Sequence, residues 1–205
     1  MKRYEIATLT IYMGTTAKAA DAVKAYTDSP ESKGTLLGCW FSDIGQLNQL
    51  IIFRGFDSAE DLETERENVR RSSNPFGCAE FMTDMSLESY APFPFMPAVT
   101  PAEEGPIYEI RTYQLKQGGL EPTIDAWEKA VPKRREFSPL TIAMYAVDGS
   151  QRITHIWPYS SLEERTKARM DSVKAGAWPP VGGPDWMELD MKSTVATPTP
   201  VSPLK

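Results

Sequence analysis

Ile107-Tyr108-Glu109-Ile110-Arg111-Thr112-Tyr113-Gln114-Leu115 alternates as a β-strand does. Ile110 and Thr112 fall on one side; Glu109, Arg111 and Tyr113 fall on the other. A near copy, Tyr4-Glu5-Ile6-Ala7-Thr8, opens the chain 104 positions earlier. The repeat predicts a duplicated fold, and it divides the remaining sequence into two comparable halves.

In the first half, Tyr4 to Tyr12 is a strand ended by Gly14, and a helix runs from Thr15 or Thr16 to Asp28. Leu36 to Phe41 and Gln46 to Phe56 form a hairpin, Asp57 or Ser58 caps a helix to about Arg71, and Phe81 to Tyr90 is a fourth strand. The second half repeats the order. After the strand at Ile107 come a helix from Leu120 to Phe137, strands at Leu140 to Val147 and Gln151 to Tyr159, a helix from Ser160 or Ser161 to about Ala175, and a strand from Trp186 to Thr194. Pro132 is expected to kink or divide its helix. The proline-rich stretch 92–106 reads as a connection that packs down on Phe93 and Phe95. The predicted domains are therefore 1–91 and 107–195, with a flexible tail over 196–205.

The order β-α-β-β-α-β is the ferredoxin-like plan. The predicted fold class is α+β: tandem ferredoxin-like (βαββαβ) domains packing sheet-to-sheet as a pseudo-symmetric α+β barrel. Tyr4, Ile6, Thr8, Ile51 and Phe53 are assigned to the helix face. Ala7, Leu9, Leu50 and Ile52 are assigned to the interior face. Helices and edge strands left free would then allow a homo-oligomer.

Two domains of ~100 residues suit a chain of 205. Twenty-two basic against 28 acidic side chains give a net charge of −6, which argues against electrostatic binding to nucleic acid or an anionic membrane surface. No apolar run approaches the ~20 residues of a bilayer span, and Glu5 interrupts the segment that a signal peptide would need. Cys39 and Cys78 lack metal-ligand spacing and read as buried free thiols in the cytoplasm. No nucleophile elbow, phosphate loop, CxxC pair or clustered metal set occurs, and neither metal nor cofactor is expected. A lone histidine could ligate haem iron, but no second feature supports it.

The stretch 108–120 (YEIRTYQLKQGGL), then Gln151-Arg152-Ile153-Thr154-His155-Ile156-Trp157-Pro158-Tyr159-Ser160-Ser161-Leu162-Glu163-Glu164-Arg165, Arg169 and Trp178-Pro179 together resemble the NIPSNAP family. The resemblance covers most of 107–191. The first half is similar more weakly, since Leu47 to Phe53 lacks the His and Trp of that strand. The resemblance implies a dimeric α+β barrel fold and no established reaction.

His155 is the only histidine, the one side chain whose unperturbed pKa lies near neutrality. His155, Trp157 and Tyr159 share a strand face, and strands one and three of a ferredoxin-like sheet are neighbours. Glu109, Arg111, Tyr113, His155, Trp157 and Tyr159 should therefore converge, and the reading places them inside the barrel around a small aromatic or anionic ligand. Three roles stay open. One is a binding site. Another is a cofactor-independent monooxygenase with His155 as base and Arg111 holding an anionic intermediate. The third is a scaffold in which the same residues form a satisfied buried network, Glu109 pairing with Arg111 or Arg54. Arg165 and Arg169, four apart on one helix face, could bind an anion or pair with helix neighbours such as Glu164 or Asp171, and the second is the expectation.

Overall fold

The computed structural model describes residues 1–205. Eight strands and four helices follow the expected order: β1 (Arg3–Ile11), α1 (Thr16–Thr27), β2 (Thr35–Ile44), β3 (Gln49–Phe56), α2 (Ala59–Arg71), β4 (Met82–Pro92), β5 (Ile107–Leu115), α3 (Leu120–Arg134), β6 (Ile142–Ala146), β7 (Arg152–Tyr159), α4 (Leu162–Lys174) and β8 (Met187–Pro198). Gly14 and Gly118 hold equivalent strand-to-helix turns at φ +80° and +79°, a conformation that costs glycine little. Ser58 and Ser161 cap α2 and α4, each accepting a 3.0 Å hydrogen bond from the backbone N–H three residues on. Pro132 sits in the last turn of α3 without dividing it.

The strands close one antiparallel barrel in the order β1-β3-β2-β8-β5-β7-β6-β4. Each half contributes four neighbouring strands, and the halves join through β2 with β8 and β4 with β6. The edges expected to be free for a partner are thus used in closure over those paired stretches. Met187–Thr194 of β8 pairs with β5 alone.

The faces are opposite to the sequence assignment. Tyr4, Ile6, Ile51 and Phe53 pack with Tyr108, Ile110 and Ile156 in a cluster drawn from both halves, which is the barrel interior. Ala7, Leu9, Leu50 and Ile52 pack against Ala19, Ala20 and Val23 of α1 and Val69 of α2. Both faces of these strands are apolar, so alternation alone does not say which one the helices cover. Side-chain size does. Trp40 stacks on Tyr108 at 4.9 Å and on Phe53 at 6.0 Å in the wide interior, whereas alanines meet where α1 lies close to the sheet.

The interior changes character along its axis, through Tyr4-Ile6-Thr8 on β1 and Tyr108-Ile110-Thr112 on β5. At the aromatic end the connection and the tail form a plug. The Val99 N–H donates to Tyr4 Oη at 3.1 Å, and the Leu204 N–H donates to Leu37 O at 2.9 Å. Leu204 is fully buried and its carbonyl accepts from Trp40 Nε1 at 3.3 Å. The tail expected to be flexible is therefore packed, because the barrel end offers apolar surface and unpaired β2 backbone groups. β8 likewise runs four residues beyond its predicted end. The other end opens into a cavity of about 740 Å³, with Thr8, Gln49, Ser86, Thr112 and Gln114 among its walls.

Candidate functional site

The six predicted residues do converge. β5 and β7 pair with Glu109 opposite Trp157 and Arg111 opposite His155, which puts Tyr113 and Tyr159 on the same face. That face lies under α3 and α4, not inside the barrel: Tyr113, Trp157 and Tyr159 pack with Ile124, Trp127 and Val131 of α3 and Ala168 of α4. None of the six lines the open barrel end. The site expected in the interior is instead a pocket between sheet and helices, for the same reason that the faces are exchanged.

Glu109 is fully buried and is its electrostatic centre. Its Oε1 accepts hydrogen bonds from Arg111 at 2.5 Å, from Arg165 at 2.5 Å and from Ser193 at 2.8 Å. Its Oε2 has no hydrogen-bond partner and faces Arg169 at 3.7 Å. Burial pushes the carboxyl pKa up, but the Arg165 hydrogen bond and the Arg111 charge more than offset it and hold the group down to about 2. Arg165 and Arg169 therefore point inward to Glu109 instead of pairing along their helix. The signal was in the sequence: four residues apart, they bracket Ala168, which is buried on the inner face of α4.

Arg134 of α3 is a fourth guanidinium, which sequence reasoning missed. It is buried, lies 4.5 Å over the Trp157 ring and donates to Ser138 at 2.7 Å. Burial lowers its pKa. Trp127 and Trp178 complete the walls: Trp127 lies 4.8 Å from both His155 and Trp178.

His155 is buried, and the Trp157 indole N–H donates to its Nδ1 at 2.5 Å. An indole can only donate, so Nδ1 carries the lone pair and the proton sits on Nε2. Burial, aided by the Arg111 charge, holds the imidazole pKa well below its ordinary value, so the ring is neutral. His155 Nε2, Tyr159 Oη and Arg165 Nε have no hydrogen-bond partner. A cavity of about 40 Å³ lies among Tyr113, Arg134, His155, Tyr159, Arg169 and Trp178. At roughly 10–15 Å³ per water, that space holds about three waters or one small oxyanion. Donors are in excess, and each one left unpaired costs ~1–3 kcal/mol.

The equivalent layer of the first half is more nearly paired, with Glu5 Oε2 the one atom of its ion cluster that lacks a partner. Arg54 of β3 is fully buried between Glu5 of β1 and Glu65 of α2 and donates to both. Glu65 also accepts from the backbone N–H groups of Lys33 at 2.6 Å and Gly34 at 2.9 Å. Arg54 stands where the second half has Trp157, and Glu5 where it has Glu109.

A family model for NIPSNAP proteins matches residues 4–97 and again 108–203. A NipSnap homolog from Dictyostelium discoideum is 28% identical over 167 residues, which cover 80% of this chain and 71% of that protein. Human NipSnap homolog 2 is 26% identical over 188 residues, covering 83% of this chain and 62% of the relative. The chain thus spans less than two thirds of the human protein. Two solved structures share the fold at low identity. A proposed monooxygenase from Lactobacillus acidophilus has a TM-score of 0.67 at 14% identity, with 97% of this chain and 94% of that one covered. An anthrone oxidase-like protein has a TM-score of 0.68 at 12%, with 97% and 91% covered.

Proposed function

The chain belongs to the NIPSNAP family, whose biochemical function is not established, and on that premise we propose that its second half binds a small anionic group between the sheet and helices α3 and α4. The observation that carries this reading is the surplus of donors: three guanidinium groups reach Glu109, and Arg134 and Arg169 line one small cavity beside a neutral histidine N–H and a tyrosine hydroxyl that are unpartnered. The aromatic side chains are walls. At about 40 Å³ the cavity is well short of the roughly 300–1,000 Å³ usual for organic ligands, so the anion is what it takes.

The likeness to monooxygenase-type structures concerns the fold and carries no reaction with it. His155 offers the cavity an N–H, not a lone pair, so the geometry favours holding an anion over abstracting a proton. We further propose a cytoplasmic protein arising from tandem duplication. No helix is long and apolar enough to cross a membrane, and both cysteines are free and buried. A homo-oligomer belongs to the same proposal, through the outer edge of β8 over Met187–Thr194, where no strand pairs. Sedimentation of the intact chain tests that part.

Titration with sodium formate and sodium phosphate at constant ionic strength tests the binding reading. Saturable binding, weakened at least tenfold in Arg169→Gln, is expected. Heat that does not saturate and is the same in Arg169→Gln would remove the reading.

A further inference from the structure

The small pocket has a larger neighbour. A groove of about 440 Å³ runs along the outer side of α3, lined by Ala126, Lys129, Ala130 and Lys133 and by Pro179 and Val181 of the loop that follows α4. The loop contributes side chains to both spaces. Ala177 and Pro179 line the outer groove, while Trp178 between them turns inward and lines the inner pocket. Its indole lies 4.8 Å from Trp127 and 5.9 Å from Trp157, edge-on to both.

Besides its aromatic packing, Trp178 has the Arg134 guanidinium 6.0 Å over its ring, and its own N–H and that of Ala177 both donate to Ser172 O, at 3.2 and 2.8 Å. The segment is bounded by Gly176 at φ +63° and Gly182 at φ +75°, with open space around each, so its ends sit in conformations glycine adopts freely. Ala126, Ala130, Pro179 and Val181 give the groove an apolar strip, flanked by Asp125, Lys129 and Lys133.

Resting on the anion-binding reading, we propose that Trp178 is a movable partition within one two-compartment site, whose ligand is an organic carboxylate with an apolar body. The carboxylate occupies the donor-rich inner pocket with Arg134, His155 and Arg169. The apolar body lies in the outer groove over Ala126 and Ala130, and Trp178 swings aside to admit it. This arrangement accounts for an inner pocket that suits a charged group but has no room for a molecule. It also accounts for an apolar strip in the groove lined by the two residues that flank Trp178.

Octanoate and formate separate the two compartments, because they share a head group and differ in the tail. Calorimetric titrations of the intact protein are expected to show octanoate binding at least tenfold more tightly than formate. Ala130→Trp, which fills the groove from the outer side of α3, should abolish that advantage and leave formate affinity within twofold. Trp178→Ala should speed octanoate association at least tenfold in stopped flow. An octanoate affinity no better than that of formate, an advantage that survives Ala130→Trp, or an unchanged association rate in a folded Trp178→Ala protein overturns the partition. Formate binding without the octanoate advantage removes the partition alone and leaves the anion pocket standing. Binding of neither removes the anion reading itself.

Discussion

The two halves build the same frame and put opposite charge balances beneath their helices. Under α1 and α2, one guanidinium lies between two carboxylates, a net −1, and hydrogen bonds from Lys33, Gly34, Tyr26 and Ser32 take up what Glu65 has left. Under α3 and α4, three guanidinium groups reach one carboxylate and Arg134 lines the adjoining cavity, a net +3 over the layer, and several donors are left over. The exchange turns on few positions. Arg54 becomes Trp157, Ala7 becomes Arg111, and α4 supplies arginines where α2 supplies Glu65. On the proposed reading, the first cluster braces the fold and the second receives an anion.

That division can be broken most severely at Arg54. Arg54→Met leaves Glu5 and Glu65 buried without a counter-charge, and urea unfolding should show a loss of about 3–5 kcal/mol. A loss under ~1 kcal/mol would mean that the first cluster does not brace the fold.

Acid comes next. The Glu109 pKa is held near 2, below its unfolded value of about 4.3, so the stability it contributes is complete above the unfolded value and lost as pH falls toward 2. The expected loss is about 3 kcal/mol, read as the urea midpoint between roughly pH 5 and pH 2. Glu109→Gln should flatten that decline. His155 acts with the same sign. Its depressed pKa gives stability that is complete above roughly 6.5 and falls as pH drops below that value.

Smaller effects separate binding from bracing. Arg169 is partly exposed, and its approach to Glu109 at 3.7 Å is too long for a hydrogen bond. Arg169→Gln should therefore change stability by no more than ~0.5 kcal/mol. Its anion affinity should still drop at least tenfold, about 1.4 kcal/mol. Smallest of all, formate should raise the melting temperature of the wild-type protein and leave that of Arg169→Gln nearly unchanged. An equal rise in both would place any anion somewhere other than this pocket.

The fold was legible because alternation, caps and turn residues agree along the chain. The motif Tyr-Glu-Ile-x-Thr, Ser58 and Ser161 at helix starts, and Asp148-Gly149 between strands all point to β-α-β-β-α-β. The convergence of Glu109, Arg111 and His155 followed from strand order alone. Which face they occupy did not, because Leu9 and Ile6 are equally apolar and both faces of this sheet are buried. The decisive clue was charge complementarity between layers. Glu65 on α2 lies buried against Arg54, and Arg165 and Arg169 lie on the inner side of α4. Only the helix-covered face brings these groups together. Arg134 was hidden for another reason: it sits among Lys133, Arg135 and Glu136, a run that reads as solvated helix end. The packed tail was hidden because its partner, the aromatic barrel end, exists only once both halves have closed.

The central claim, an anion site in the second half that the first half lacks, can be read from one atom. His155 is the only histidine, so selective ¹⁵N-histidine labelling gives a single imidazole spectrum without assignment. The expected result is a neutral ring protonated on Nε2 at pH 7, whose Nε2–H resonance shifts saturably as formate is added and does not shift in Arg169→Gln. An imidazolium signature, a proton on Nδ1, or an Nε2–H resonance indifferent to formate would contradict it.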